Sequence, residues 1–102
     1  MLMRRGTTPT HTFTIPDDID ISAWVVIYIT YSQFGRTQLE KNIDEININE
    51  QVLSVHLTQE ETLAFKKGAA GVQIRARDAV DEAYASEEMP FTVQDVYKKG
   101  KI

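Results

Sequence analysis

Two histidines, fifteen carboxylates and no cysteine set the limits of the chemistry this chain can carry. Without a thiol there is no disulfide framework, no thiolate zinc site and no cysteine nucleophile. His11 and His56 would need neighbouring carboxylates to hold a metal; His11 reads as part of a first strand and His56 as the outward face of a middle one, two solvent-facing side chains. Asp17, Asp18 and Asp20 in "DDID" have a spacing that calcium loops use, but the glycine hinge and the distal bidentate glutamate are missing, so the segment reads as a solvated acidic loop. Glu60-Glu61 and Glu87-Glu88 are carboxylate pairs of the kind that general acid and base catalysis employs. Their positions, on a helix cap and on an edge strand, suit capping and protection of a sheet edge instead. No Ser, His and acid constellation, phosphate-cradling glycine loop or nucleotide fingerprint occurs. The expectation is a protein that is not an enzyme, with no catalytic residue, cofactor or metal.

The elements that position these groups follow from composition and period. A chain of 102 residues, 42% apolar and 25% charged, suffices for one core, and 1–102 reads as a single domain. Its net charge of −4 argues against a nucleic-acid partner, whose phosphates require neutralisation. The longest mostly apolar run, Ala23 to Ile29, falls far short of the ~20 residues of a spanning helix. No apolar region of a signal peptide follows Arg5. The chain is expected to be cytoplasmic when synthesised and to have no membrane partner.

Alternation dominates. "PTHTFTI" is a short strand with Phe13 and Ile15 on one face, and "PDDIDIS" is a loop whose Ile19 and Ile21 cap the core. "AWVVIYITYS" is the strongest strand, β-branched and aromatic almost throughout. Its purer apolar row, Val25, Ile27, Ile29 and Tyr31, is assigned to the core, and Trp24, Val26, Tyr28 and Thr30 to the opposite face. Phe34-Gly35 closes a hairpin over 23–42, the glycine supplying a positive φ. A second hairpin sets Ile46 and Ile48 before a turn at Asn49-Glu50, with Leu53, Val55 and Leu57 inward. Ile43 is out of phase with Ile46, which places a bend near Asp44. Thr58 and Glu61 have the spacing of a capping box, so one helical turn starts at Thr58, pinned by Leu57, Leu63 and Phe65. Gly68 and Gly71 release the chain into a strand with Val72, Ile74 and Ala76 inward. A turn at Asp81-Glu82 and a last strand with Phe91 and Val93 inward complete the pattern. Residues 1–8 read as a flexible arm that orders against a neighbouring subunit or as a frayed terminus, and 97–102 as a loose tail. A single helical turn between two strands carries the chain from one sheet to the other, as in immunoglobulin-like domains. The fold expected is therefore all-β: an immunoglobulin-like antiparallel β-sandwich of about seven or eight strands, with one short helix near 58–65.

"RRGTTPTHTFTI" and "LTQEETLAF", followed by "VQIRAR" and a closing "FTV", resemble small β-sandwich proteins encoded by phages and prophages of Gram-positive bacteria. The second arrangement also resembles the N-terminal immunoglobulin-like domain of phage baseplate upper proteins. The resemblance implies a non-enzymatic structural or assembly role, in the virion, through protein–protein contacts, and assigns no site residue. Trp24, Val26 and Tyr28 form the candidate interface, because an exposed apolar stripe on a sheet calls for a partner. That partner is the chain itself, as a homo-oligomer, or other phage proteins. The alternative is a small ligand- or carbohydrate-binding module with Trp24, Tyr28, Tyr31 or Tyr84 as stacking platforms.

Overall fold

The computed structural model describes residues 1–102 and builds two sheets around the strand of highest β-propensity. In chain order the elements are β1 (Leu2–Arg4), β2 (Thr10–Thr14), β3 (Trp24–Gln33), β4 (Arg36–Asn42), β5 (Asn47–Asn49), β6 (Val52–His56), α1 (Gln59–Leu63), β7 (Gly68–Asp78), β8 (Ala83–Ala85) and β9 (Met89–Gln94). Single 3₁₀ turns occupy Ile21–Ala23 and Ile43–Glu45. The larger sheet has the order β1-β9-β7-β3-β4 with β8 also on β7, and the smaller is β2-β6-β5. All pairings are antiparallel except β1 with β9. An all-β immunoglobulin-like sandwich with one short helix is thus the architecture.

Period-2 alternation fills the core. Ile27, Ile29 and Tyr31 of β3, Val72, Ile74 and Ala76 of β7, and Phe91 and Val93 of β9 turn inward and meet Phe13, Leu53 and Val55 of the smaller sheet. Each of the Val, Ile, Leu and Phe side chains among them contributes roughly 1.5–3 kcal/mol of burial. The two-residue turn at Phe34 (φ 55) and Gly35 (φ 73) has both residues in the left-handed region, the type I′ geometry that matches strand twist.

Several expectations need correction. A bulge in β3 sets Trp24 opposite Asp78 and Val26 opposite Arg77, leaving Val25 unpaired. The extra residue reverses the alternation, so Trp24 is buried and Val25 is 48% exposed. Ile48 lies opposite the buried Leu53 yet is exposed, because β5 is a three-residue strand at the edge of its sheet, and the second turn falls one residue later, with Glu50 at φ 54. Residues 1–8 are no frayed arm: β1 pairs with β9 and buries Met3. That strand raises the total to nine. The tail also docks, since Ile102 N–H donates to Gln59 Oε1 at 2.9 Å and Lys101 pairs with Glu60 at 3.2 Å.

The helical turn is a corner piece between β6 of the smaller sheet and β7 of the larger, and its capping box is closed. Thr58 Oγ1 accepts from the Glu61 N–H at 3.2 Å and Glu61 Oε1 accepts from the Thr58 N–H at 2.9 Å. Below it, Phe65 is fully buried in edge contact with Tyr31 and Phe91.

Candidate functional site

The outer face of the larger sheet is assembled by strand register. Tyr28 lies between Arg75 of β7 and Asn42 of β4, and Val26 lies beside Arg77. On the far side of the arginines stand Ala85 and Ala83 of β8. Methyl side chains beside long ones leave a depression of about 480 Å³, lined among others by Val26, Tyr28, Glu40, Arg75, Arg77 and Asp81. Tyr28 is 43% exposed and Val26 is half-buried. Glu40 accepts from Thr30 Oγ1 at 3.1 Å. Arg77 donates to the Asp78 carbonyl at 3.1 Å, and neither Arg75 nor Arg77 joins one of the ion pairs of the chain. The result is a concave, mixed surface: one exposed phenol, an aliphatic patch and two guanidiniums with hydrogen-bonding capacity to spare.

Of the three residues assigned to the interface, Val26 and Tyr28 share this face and Trp24 leaves it. The bulge turns the indole inward, against the Tyr84 ring at 5.4 Å and 31°. Tyr31 is fully buried. Tyr28 is therefore the lone exposed aromatic of the proposed stacking set.

The histidines divide. His56 is exposed, with Nδ1 3.1 Å from Thr10 Oγ1, whereas His11 is buried, a correction to its solvent-facing assignment. Neighbouring β2 residues point to opposite faces; Thr10 pairs with His56 and His11 with Val55, so the two imidazoles cannot converge. His11 Nδ1 shares a 2.7 Å hydrogen bond with the Tyr31 hydroxyl. Burial pushes the imidazole below its ordinary pKa. Burial, and secondarily the charge of Glu61, pushes the phenol far above its own. Asp20 caps the first 3₁₀ turn by accepting from the Ser22 N–H at 3.1 Å.

A polar cluster that sequence reasoning missed holds the corner. Lys41 points inward from edge strand β4, its side chain 8% exposed, with Nζ 2.6 Å from Glu61 and 3.5 Å from Glu45. Both glutamates belong to capping boxes: Glu61 closes α1, and Glu45 closes the second 3₁₀ turn with Asn42. One ammonium thus ties two helical turns to a sheet edge. Burial works against the Glu61 carboxylate, but hydrogen bonds from Lys41 and the Thr58 N–H outweigh it and hold the group below its ordinary range. Nearby, Gln33 makes a reciprocal pair with Lys66, donating to its carbonyl at 2.6 Å and accepting from its N–H at 2.7 Å. Arg5 bridges the Leu63 carbonyl at 2.8 Å and Asp95 at 3.1 Å. The Lys99 hydrogen bond, then the Val96 N–H, bring Asp95 down to about 2. "NIDE" at 42–45 has the capping-box spacing, so half of the cluster had a local signal; the convergence on Lys41 had none.

No family model matches this chain, and no curated protein matches it. Solved structures are similar in fold. The immunoglobulin-like domain of mouse leukocyte-associated immunoglobulin-like receptor 1, crystallised as a strand-swapped dimer, is 10% identical with a TM-score of 0.50, over 92% of this chain and 86% of that one. The V domain of amphioxus IgVJ-C2 is 14% identical with a TM-score of 0.36, over 91% and 98%. Extracellular domains 3–5 of Drosophila OTK are 11% identical with a TM-score of 0.38, over 96% and 32%. The class of the protein is an immunoglobulin-like β-sandwich domain. At this identity the likeness speaks for the fold alone.

Proposed function

We propose that this chain is a non-enzymatic structural or assembly protein that works through protein–protein contacts, with the outer face of the larger sheet as its docking surface. The observation that carries this reading is the depression around Tyr28, where an exposed aromatic and two arginines without carboxylate partners stand on rigid strands. Tyr and Arg are the residue types enriched in interface cores. A phage or prophage particle is the setting that the resemblance of "RRGTTPTHTFTI" and "LTQEETLAF" suggests. The carbohydrate-module alternative is less favoured, since it needs a pair of exposed, coplanar rings, and Trp24 and Tyr31 are buried.

Co-expression with the products of the flanking genes tests the proposal. A complex that survives size exclusion with wild type, and is lost in Val26→Glu and Arg75→Glu while circular dichroism stays unchanged, supports it. A complex indifferent to both substitutions, or no complex with any neighbour, overturns it. Tail or capsid genes on either side support the virion setting.

A further inference from the structure

We infer that the free edge of β2 is a self-docking strand that pairs antiparallel with the same edge of a second copy of this chain. β2 is the terminal strand of its sheet, flanked by β6 alone. The Leu57 N–H donates to the Pro9 carbonyl at 2.9 Å and the Ile15 N–H to the Gln51 carbonyl at 2.8 Å. These two bonds set the parity of the ladder: His11 and Phe13 address β6, and the N–H and C=O groups of Thr10, Thr12 and Thr14 project from the open side. The three threonine side chains are exposed as well.

An open strand edge is a template for another strand unless something blunts it. The other edges of this molecule are blunted. β4 carries Arg36, Glu40 and the inward-pointing Lys41, and its pairing with β3 is broken by a bulge. β1, β5 and β8 have three residues each. β2 has five residues, "THTFT", with unbroken register and no charge, proline or glycine.

The occupant follows from symmetry. The outward positions are centred on Thr12, so a two-fold axis through Thr12 sets Thr12 opposite Thr12 and Thr10 opposite Thr14. Each pair then exchanges both of its N–H···O bonds. The threonine side chains meet their counterparts across the new strand pair, a favourable cross-strand combination. Pro16 lies just beyond the strand with the same parity as the three threonines, so the next pair, Thr8 with Pro16, lacks an N–H and the pairing stops there at both ends. With no charge from Thr10 to Thr14, the pairing strands themselves add no like-charge repulsion to a chain of net charge −4. The surface is separate from the face around Tyr28, which belongs to the other sheet. A five-residue strand pair is a small interface, so the dimer is weak and concentration-dependent.

Sedimentation velocity from low-micromolar to near-millimolar chain should show the mass rising from 11.6 kDa towards twice that value. Over the same range, amide exchange at Thr10, Thr12 and Thr14 should slow. Thr12→Pro removes the N–H on the two-fold axis without touching the β6 ladder; it should abolish the mass increase and leave the circular dichroism unchanged. Val26→Glu should dimerise like wild type. A mass that stays at one chain throughout, or a dimer that survives Thr12→Pro and dissociates in Val26→Glu, overturns the inference. Should Thr12→Pro fail to fold, the exchange data on wild type decide: a dimer in which the three threonine amides exchange as fast as in dilute solution rules out this edge. Slowing seen only on addition of a different protein also rules out self-pairing.

Discussion

The corner around α1 and the outer face around Tyr28 treat charge in opposite ways. At the corner Lys41 is nearly buried and touches two carboxylates, each of which also closes a helical turn. On the face, Arg75 and Arg77 are exposed and meet no carboxylate at ion-pair distance. A buried charge has given up water and must be answered by protein groups, so the corner polar groups are tied to architecture. An exposed guanidinium keeps its water and remains available to a partner. The contrast separates groups whose loss costs stability from groups whose loss costs contact.

The largest expected difference comes from truncating a cation in each region. Lys41→Ala leaves the half-shielded Glu61 without its counter-ion and should cost about 2 kcal/mol, below the 3–5 of a fully buried pair because both glutamates keep some water. Arg75→Ala should stay within about 0.5 kcal/mol of wild type. Urea denaturation midpoints measure both, and equal shifts would erase the distinction between the regions.

A smaller effect sharpens the account of the corner. Thr58→Ala removes one half of its capping box and should lower stability by ~1 kcal/mol, read as a lower midpoint with unchanged slope. An unshifted midpoint would mean that packing of Phe65 alone holds the turn.

The smallest is a pH dependence that originates between the two regions, in the His11–Tyr31 pair. Burial depresses the folded-state pKa of His11 below 6.5, so under acid the unfolded chain takes up this proton first. Stability attributable to His11 is complete above about pH 6.5 and declines as the pH falls from there towards the folded-state pKa. Glu61, also depressed, acts only below its ordinary value of 4.5, in a separate window. Thermal melts of wild type and His11→Gln between pH 7 and pH 5 should show the decline in wild type and a flatter profile in the variant; parallel profiles would place His11 outside the titrating set.

Much of this was readable from local pattern. The inward faces of β6, β7 and β9, the hairpin at Phe34-Gly35 and the capping box at Thr58 and Glu61 all follow from residues a few positions apart. The candidate site was half readable. Alternation puts Val26 and Tyr28 on the outer face, but no local signal brings Arg75 and Arg77 beside them, because only the register of β3 on β7 does so.

The sequence by itself determined the fold class, since strand period, turn residues and caps act over short stretches of chain and all agree here. Tertiary structure alone decided where alternation changes phase. A bulge at Val25 sends Trp24 inward because β3 must match β7 some fifty residues later, and a one-residue slip exchanges the two faces of a strand without altering its pattern. The same holds for β1, which finds β9 at the other end of the chain, for the hydrogen bond that buries His11 against Tyr31, and for Lys41, an edge-strand lysine that becomes a tether only when two helical turns fold over it.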